Sequence, residues 1–159
     1  MAHPTAKKEP VEGGHVLFSQ LLRGPYHALL RKLYAGLADA GFADTSPCWG
    51  HNIFFYLREG GLRLTELAER AHTTKQAMRY TVNQLEAAGY VERVPDPTDG
   101  RAKIIRLTER GWAVRRLADE IIASIEGECA RQLGEARMRQ FEDLIKEVTS
   151  VLEENQEQA

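Results

Sequence analysis

The 159-residue sequence has few cysteines and no long apolar run. Its two cysteines, Cys48 and Cys129, lack the paired spacing of a disulfide framework, which favours a reducing compartment. No segment approaches the ~18 uninterrupted apolar residues of a membrane span, and the N-terminal region has no signal-peptide hydrophobic core. We therefore expect a cytoplasmic protein without membrane attachment. Residues 1–14 contain Pro, Gly and Lys without an apolar run, which predicts a disordered arm.

Signatures of enzymes and of metal sites are also missing. The sequence has no Gly-rich phosphate loop, no Gly-x-Ser-x-Gly elbow and no metal-hydrolase pair, so we predict no enzymatic activity, no catalytic residue and no cofactor. The five histidines include no close ligand pair: His3, His15, His27, His51 and His72. We predict no metal site, with a zinc sensor built from distant histidines as the alternative.

The chain has no large excess of charge of either sign, since its formal net charge is -2. The charges are unevenly distributed, however. Residues 61–110 contain nine Lys and Arg against seven Asp and Glu, whereas residues 111–159 contain six against eleven. This distribution predicts that the C-terminal part faces away from a polyanion or lies between subunits.

Capping and turn residues divide the N-terminal part into helices. Pro25 is expected to begin a new helix after a break at Gly24, and Ser46 and Thr65 are expected to cap the third and fourth helices. Either Thr73 or Thr74 caps the fifth. The predicted helices cover 16–22, 25 to a stop at Gly41, 47 to a stop at Gly60, 66–71, and a longer one that ends before Gly89.

A hairpin and two more helices complete the prediction. Two β-prone segments, 90–94 and 103–107, flank a turn at Asp99-Gly100, and Thr108 caps the next helix. The fold class expected is mainly α with a small β-hairpin wing, a winged helix-turn-helix between N- and C-terminal dimerisation helices. The last helix has an apolar stripe that a second copy would cover, with intramolecular packing as the alternative: Met138, Phe141, Ile145, Val148 and Leu152.

The helix before the hairpin has two chemically different faces. Met78, Val82 and Leu85 share an apolar face. The other face is polar, and its Arg, Gln and Asn side chains can pair with guanine or adenine edges: Gln76, Arg79, Tyr80 and Asn83. Lys75 in the first turn suits a phosphate. The alternative, a merely solvated face, is disfavoured by the helix-turn-helix context.

The hairpin carries a cationic tip. Arg101 follows the Asp99-Gly100 turn, with Lys103 close behind. A narrow, electronegative minor groove favours a protruding guanidinium. Asp99 would repel phosphate, so we predict that it holds Arg101 in position; a plain turn former is the alternative.

Several motifs together resemble one protein family. They are Leu64-Thr65-Glu66-Leu67-Ala68, Thr74-Lys75-Gln76-Ala77, the segment 85–93, Asp96-Pro97-Thr98-Asp99-Gly100-Arg101-Ala102-Lys103 and Leu107-Thr108-Glu109-Arg110-Gly111. Over roughly 16–152, the chain resembles the MarR family of bacterial transcriptional regulators, and the wing segment is the most specific part of the resemblance.

The resemblance implies a homodimer whose first and last helices intertwine, with recognition helices in major grooves and wing arginines in minor grooves. It divides the chain into a disordered arm (1–14), an N-terminal dimerisation region (15–45), a DNA-binding lobe (46–111) and C-terminal dimerisation helices (112–159). The chain departs from the commoner pattern at Arg79-Tyr80, which leaves the operator sequence open. The implied DNA-binding residues are Thr74, Lys75, Gln76, Arg79, Tyr80, Asn83, Asp99 and Arg101, to which we add Lys103.

The resemblance also implies release from DNA by a small ligand, often an aromatic acid or phenol. The pocket would lie between the helices 26–36 and 47–57 and the helix after Thr108. Its candidate residues are Tyr26, His27, Trp49, His51, Asn52 and Phe55, which could instead be ordinary packing residues. Two other functions remain open: redox sensing through Cys48 in the first turn of a helix, and a protein-interaction adaptor without operator binding.

Overall fold

The computed structural model describes residues 18–45, 50–57 and 60–154, with the backbone alone at 50–52. The chain order is α1 (Phe18–Asp39), α2 (Gly50–Tyr56), β1 (Leu62–Arg63), α3 (Leu64–Arg70), α4 (Lys75–Ala87), β2 (Val91–Asp96), β3 (Asp99–Leu107), α5 (Glu109–Leu133) and α6 (Glu135–Glu154). The three strands form an antiparallel sheet in the order β1-β3-β2. The predicted fold class, mainly helical with a small hairpin wing, is confirmed.

The first helix is continuous, so the predicted break at Gly24-Pro25 is wrong. Pro25 lies inside α1 and removes one backbone hydrogen bond, which costs about 3 kcal/mol in a helix interior. Burial of Leu33 and Leu37 farther along the same helix offsets part of that cost. The packing of α1 against α5 therefore overrides the local helix-breaking signal.

The helix-turn-helix is anchored by the apolar face of α4. Met78, Val82 and Leu85 are all buried, as the spacing predicts. They join a core to which α1, α2, α3, the hairpin and α5 contribute, including Leu67 and Ile105. Because this face is fixed in the core, the opposite face of α4 is turned to solvent.

The structure corrects the predicted start of α3 and decides between the two predicted caps of α4. Helix α3 begins at Leu64, so Thr65 lies inside its first turn and is not its cap. Glu66 instead accepts a hydrogen bond from the backbone N–H of Arg63, at 2.9 Å. For α4 the cap is Thr74, whose hydroxyl accepts from the N–H of Ala77 at 3.1 Å.

The turn of the hairpin lies two residues earlier than predicted. Asp96 pairs with Asp99, so Pro97-Thr98 form the turn and Asp99-Gly100 begin β3. A register shift at Pro95/Asp96 accommodates the change. The Asp96 carboxylate accepts hydrogen bonds from both the N–H and the hydroxyl of Thr98, which stabilises this tight turn.

The two C-terminal helices bury little of their surface. Thr108 caps α5 as predicted, accepting from the N–H of Gly111 at 3.1 Å. Helix α6 follows at Gly134 and packs against α5, but none of its residues is buried. On its predicted stripe, Met138, Ile145 and Val148 are partly covered, whereas Phe141 and Leu152 are more than half exposed.

Candidate nucleic-acid interface

The polar face of α4 is presented to solvent as a continuous surface. Lys75, Gln76, Arg79 and Tyr80 are all exposed, and Tyr80 is 67% exposed. Thr74 begins this face and caps the helix. Among the described residues, Arg79 has no ion-pair partner. The face therefore offers hydrogen-bond donors and a positive charge to a ligand outside the protein.

Asn83 differs from the other predicted residues on this face because it already has a protein partner. The Nη2 of Arg93 donates to its side-chain oxygen at 2.7 Å. Arg93, on β2, also forms an ion pair with Glu86 one turn farther along α4. Sequence reasoning missed Arg93; its only signal was a basic residue inside the β-prone segment.

The wing holds Arg101 by its backbone and leaves its side chain exposed. The Arg101 N–H donates to Asp99 Oδ1 at 3.1 Å, which is the contact a bracing role for Asp99 requires. The side chains of Arg101 and Lys103 are exposed, and neither has an ion pair within the described part of the chain. Two unpaired cations therefore project from β3.

A second brace, which the sequence analysis missed, lies beneath the wing. Arg63 on β1 donates to Asp96 Oδ2, with Nε at 2.7 Å and Nη2 at 2.6 Å, and its Nη2 lies 3.7 Å from Asp99 Oδ2. Asp96 is buried. Hydrogen bonds from the hydroxyl and the N–H of Thr98, together with the Arg63 guanidinium, lower the pKa of Asp96 to about 2. The wing is thus tied to β1 by a carboxylate that stays ionised.

Because this carboxylate is ionised in the folded protein, we predict that the protein loses stability in acid. Because the pKa of Asp96 is lower in the folded protein than in the unfolded chain, its contribution to stability is complete above pH ~4 and is lost as the pH falls through about 2. Asp96→Asn should lower the free energy of unfolding at pH 6 and weaken its dependence on pH between 4 and 2. Urea unfolding at several pH values measures both effects. Asp143→Asn, at an exposed ion pair on α6, is the control, and equal pH profiles for Asp96→Asn and the parent would contradict the prediction.

A polar cluster ties the lobe to the segment after α1. Tyr90 Oη donates to Asp44 Oδ1 at 2.5 Å, and Arg110 Nη2 donates to Asp44 Oδ2 at 2.8 Å. The Arg110 guanidinium also lies 4.6 Å from the centre of the Tyr90 ring. The hydrogen bond from Tyr90 lowers the pKa of Asp44, while burial and this carboxylate raise the pKa of Tyr90. These contacts join the segment after α1 to the residue before β2 and to the first turn of α5.

An apolar cavity of about 80 Å³ lies between α1, α2 and α5, where the effector pocket was predicted. Of the six candidate ligand residues, Phe55 contributes to its lining. Tyr26 and His27 lie elsewhere, on α1, in a ring contact of 5.9 Å with each other. Trp49 falls outside the described residues, and the side chains of His51 and Asn52 are likewise not described. The lining residues are Leu33, Tyr34, Leu37, Thr45, Phe54, Phe55, Val114, Arg115, Ala118, Asp119 and Ile122.

Two of the other sequence hypotheses concern cysteine and metal. Cys48 lies outside the described residues, and Cys129 is an exposed free thiol on α5. In the described ranges, no three His, Cys, Asp or Glu side chains are grouped so as to hold a metal ion. None of the helices described here combines the length and the apolar character that crossing a bilayer requires.

Comparison with known sequences places these features in a family. The model of the MarR family matches residues 51–102, which include α3, α4 and most of the wing. The HTH-type transcriptional repressor Rv2887 of Mycobacterium tuberculosis is 31% identical over 90 residues, 57% of this chain. That match spans 65% of the repressor's length, just under two thirds.

Solved structures agree over a larger part of the chain. The transcriptional regulator Tm0710 of Thermotoga maritima is 28% identical with a TM-score of 0.56, covering 87% of this chain and 95% of that one. Streptococcus pneumoniae FabT, solved in complex with DNA, has a TM-score of 0.74 at 20% identity, over 86% and 95% of the two chains, and at that identity the likeness concerns the fold. The resemblance to the MarR family seen in the sequence is confirmed by the family model over residues 51–102, and it agrees with the similarity to the repressor and to Tm0710.

Proposed function

We propose that the protein is a sequence-specific DNA-binding repressor that acts as a homodimer. The observation that carries the proposal is the exposed polar face of α4 beside a braced strand with an unpaired arginine near its tip. Members of the family are transcriptional regulators and not enzymes, and the relative in M. tuberculosis is named as a repressor. We further propose that the protein acts in the cytoplasm.

The two parts of the interface have different tasks. Gln76 and Arg79 read base edges in the major groove, since their side chains can form bidentate hydrogen bonds there. Tyr80 and Thr74 flank them on the same face, and Lys75 meets a phosphate at the start of the helix. Arg101 enters the minor groove, and Lys103 adds positive charge behind it. Affinity should therefore fall steeply as salt concentration rises.

An exposed apolar surface supports the dimer. Large apolar side chains lie exposed at the start of α1 and along α5 and α6: Phe18, Leu21, Leu22, Leu133, Phe141, Leu144, Val151 and Leu152. A surface of this kind on a soluble protein marks an interface. A two-fold dimer would present two recognition helices to half-sites about one helical turn apart, as a pseudo-palindromic operator requires.

The cavity between α1, α2 and α5 supports regulation by a small ligand. Its walls are mostly apolar, and Arg115 and Asp119 are among the lining residues, which suits an aromatic ring with a polar substituent. It touches α1 on one side and the start of α5 on the other, so an occupant could change the angle between dimer arms and lobe. Loss of DNA binding on addition of phenolic acids is the measurement that addresses this part of the proposal.

The wing provides the test of DNA binding. A duplex site is first selected from random sequences by the parent protein, and Arg101→Ala should then bind it about tenfold or more weakly, a loss of ~1.4 kcal/mol or more. The control is Arg106→Ala on the same strand, because Arg106 is paired with Glu92 at 2.8 Å. Its affinity should stay within about twofold of the parent.

The possible results distinguish a failure of the proposed role of the wing from a failure of the proposed function as a whole. If Arg101→Ala binds as tightly as the parent at matched salt, the wing has no role in DNA binding. If the parent selects no sequence at all, the protein is not an operator-binding repressor and works as an interaction module.

A further inference from the structure

A cleft separates the recognition helix from the wing. It is lined by side chains of α3, α4, β2 and β3, which we call the helix–wing cleft: Leu64, Arg79, Asn83, Arg93, Lys103 and Ile105. Leu64 and Ile105 form its apolar part, and the other four residues are polar. No carboxylate belongs to this lining, although Glu86 pairs with Arg93 from outside it.

The polar wall of the cleft presents hydrogen-bond donors. A guanidinium has donors only, so the amide atom of Asn83 that faces Arg93 at 2.7 Å must be its oxygen. The amide NH2 is then the group that Asn83 has left to offer. Arg79 and Lys103, unpaired among the described residues, also carry donors alone.

This arrangement disfavours the sequence-based role of Asn83, which is to read a base. Reading adenine requires the side-chain amide to accept from N6 while it donates to N7. The Asn83 oxygen is engaged by Arg93, which is itself fixed by Glu86. One of the two lone pairs of that oxygen is therefore occupied, and the cation beside it makes the oxygen a poorer acceptor for adenine N6.

We infer that the helix–wing cleft seats a phosphate group of the DNA backbone, and that Asn83 binds this phosphate rather than a base. A phosphodiester is anionic and offers acceptors only, which complements a wall of donors with two unpaired cations. Guanine also offers acceptors to the major groove, but it is neutral and gains less from the two charges. The inference builds on the proposed function: it moves Asn83 from a base to a phosphate, gives the charge of Lys103 a specific phosphate, and lets Arg79 add its charge to the cleft beside its base contact.

Base reading and phosphate binding predict different consequences for Asn83 variants. Selection from random duplexes should give the same consensus for the parent, Asn83→Ala and Asn83→Asp. Asn83→Ala should bind every sequence about three- to tenfold more weakly, and Asn83→Asp should lose more, because it brings a negative charge to the phosphate. Gln76→Ala is the matched reader variant and should relax the consensus at one position. Unfolding temperatures of all variants establish that each is folded.

Chemical neutralisation of single phosphates locates the contact. A methylphosphonate in place of the phosphate that binds in the helix–wing cleft should lower the affinity of the parent protein for the duplex severalfold. The methylphosphonate should lower the affinities of Lys103→Ala and Asn83→Ala much less, since each variant has already lost part of the contact with this phosphate. Lys103→Ala should also lower the dependence of log affinity on log salt by about one unit, whereas the neutral Asn83→Ala should leave that slope unchanged.

Several outcomes would overturn the inference while leaving the repressor intact. A consensus that changes in the Asn83 variants, such as a new preference for cytosine in Asn83→Asp, would show that Asn83 reads a base. If the losses of binding free energy from the methylphosphonate and from Asn83→Ala are fully additive, Asn83 does not contact that phosphate. Inorganic phosphate that displaces DNA from the parent but not from Lys103→Ala, at constant ionic strength, would identify a free-anion site instead. If the parent selects no sequence, the proposed function itself fails.

Discussion

A single glutamate on the apolar face of α6 should separate the dimer and abolish operator binding. Leu144 is 51% exposed in the single chain and lies beside Phe141 on a face that also carries Val151 and Leu152. In a two-fold dimer the Leu144→Glu change occurs twice, so two buried leucines are lost and two unpaired charges enter the interface. Burial of one leucine contributes about 1.5–3 kcal/mol, so we expect dimerisation to weaken by at least about a hundredfold.

Loss of the dimer should remove DNA binding because each lobe alone reaches half of the operator. The second lobe of a dimer binds at a high effective concentration, and a monomer loses that advantage. Sedimentation at micromolar concentration measures the oligomeric state, and a duplex-binding assay measures the affinity. Ser150→Glu, on the opposite side of α6, is the control and should behave as the parent. A Leu144→Glu protein that remains dimeric would show that the apolar face of α6 is not the interface.

The predictions from the sequence succeeded where neighbouring residues decide the structure. Thr74 and Thr108 each accept a hydrogen bond from an N–H three residues ahead, so the caps of α4 and α5 depend on their own segments. The apolar spacing of Met78, Val82 and Leu85 likewise determined which face of α4 is buried.

Two of the errors, at the hairpin turn and at Pro25, arose because a residue far away in the sequence determines the local structure. Asp-Gly is a strong local turn signal, yet the hairpin turns at Pro97-Thr98 because Asp96 binds both Thr98 and Arg63, 33 residues away. Pro25 is a strong local break, yet α1 continues because later turns of the helix pack on α5.

The candidate interface divides in the same way. Which residues of α4 face outward followed from helical periodicity, because the buried stripe fixes the rest. Whether an outward residue is free to bind DNA depends on neighbours from other elements. Asn83 meets Arg93 from β2, a contact that spacing along one helix cannot predict. The cavity lining likewise combines α1, α2 and α5, so the sequence indicated its location better than its residues.

The first turn of α5 leaves no room for a side chain at Gly111. A Cβ there would lie 2.2 Å from the carbonyl oxygen of Tyr90 and 3.1 Å from Leu107 Cδ2. The nearer obstacle is backbone that also accepts a hydrogen bond from the N–H of Thr108 at 3.0 Å, so it cannot swing aside as a flexible side chain would. Gly111→Ala must therefore push the first turn of α5 away from Tyr90, which disturbs the Thr108 cap and the contact between Arg110 and Tyr90.

We expect Gly111→Ala to lower the free energy of unfolding by about 3 kcal/mol, the upper end of the range for overpacked sites. For a chain of this size the melting temperature should fall by about 6–12 °C. Gly127→Ala is the matched control in the same helix, because a Cβ at Gly127 meets no atom within 4 Å. Alanine favours the helix over glycine by roughly 0.5–1 kcal/mol, so the control should melt at or above the parent temperature. Equal melting temperatures for Gly111→Ala and the parent would mean that the first turn of α5 can move away from Tyr90 at no cost in stability.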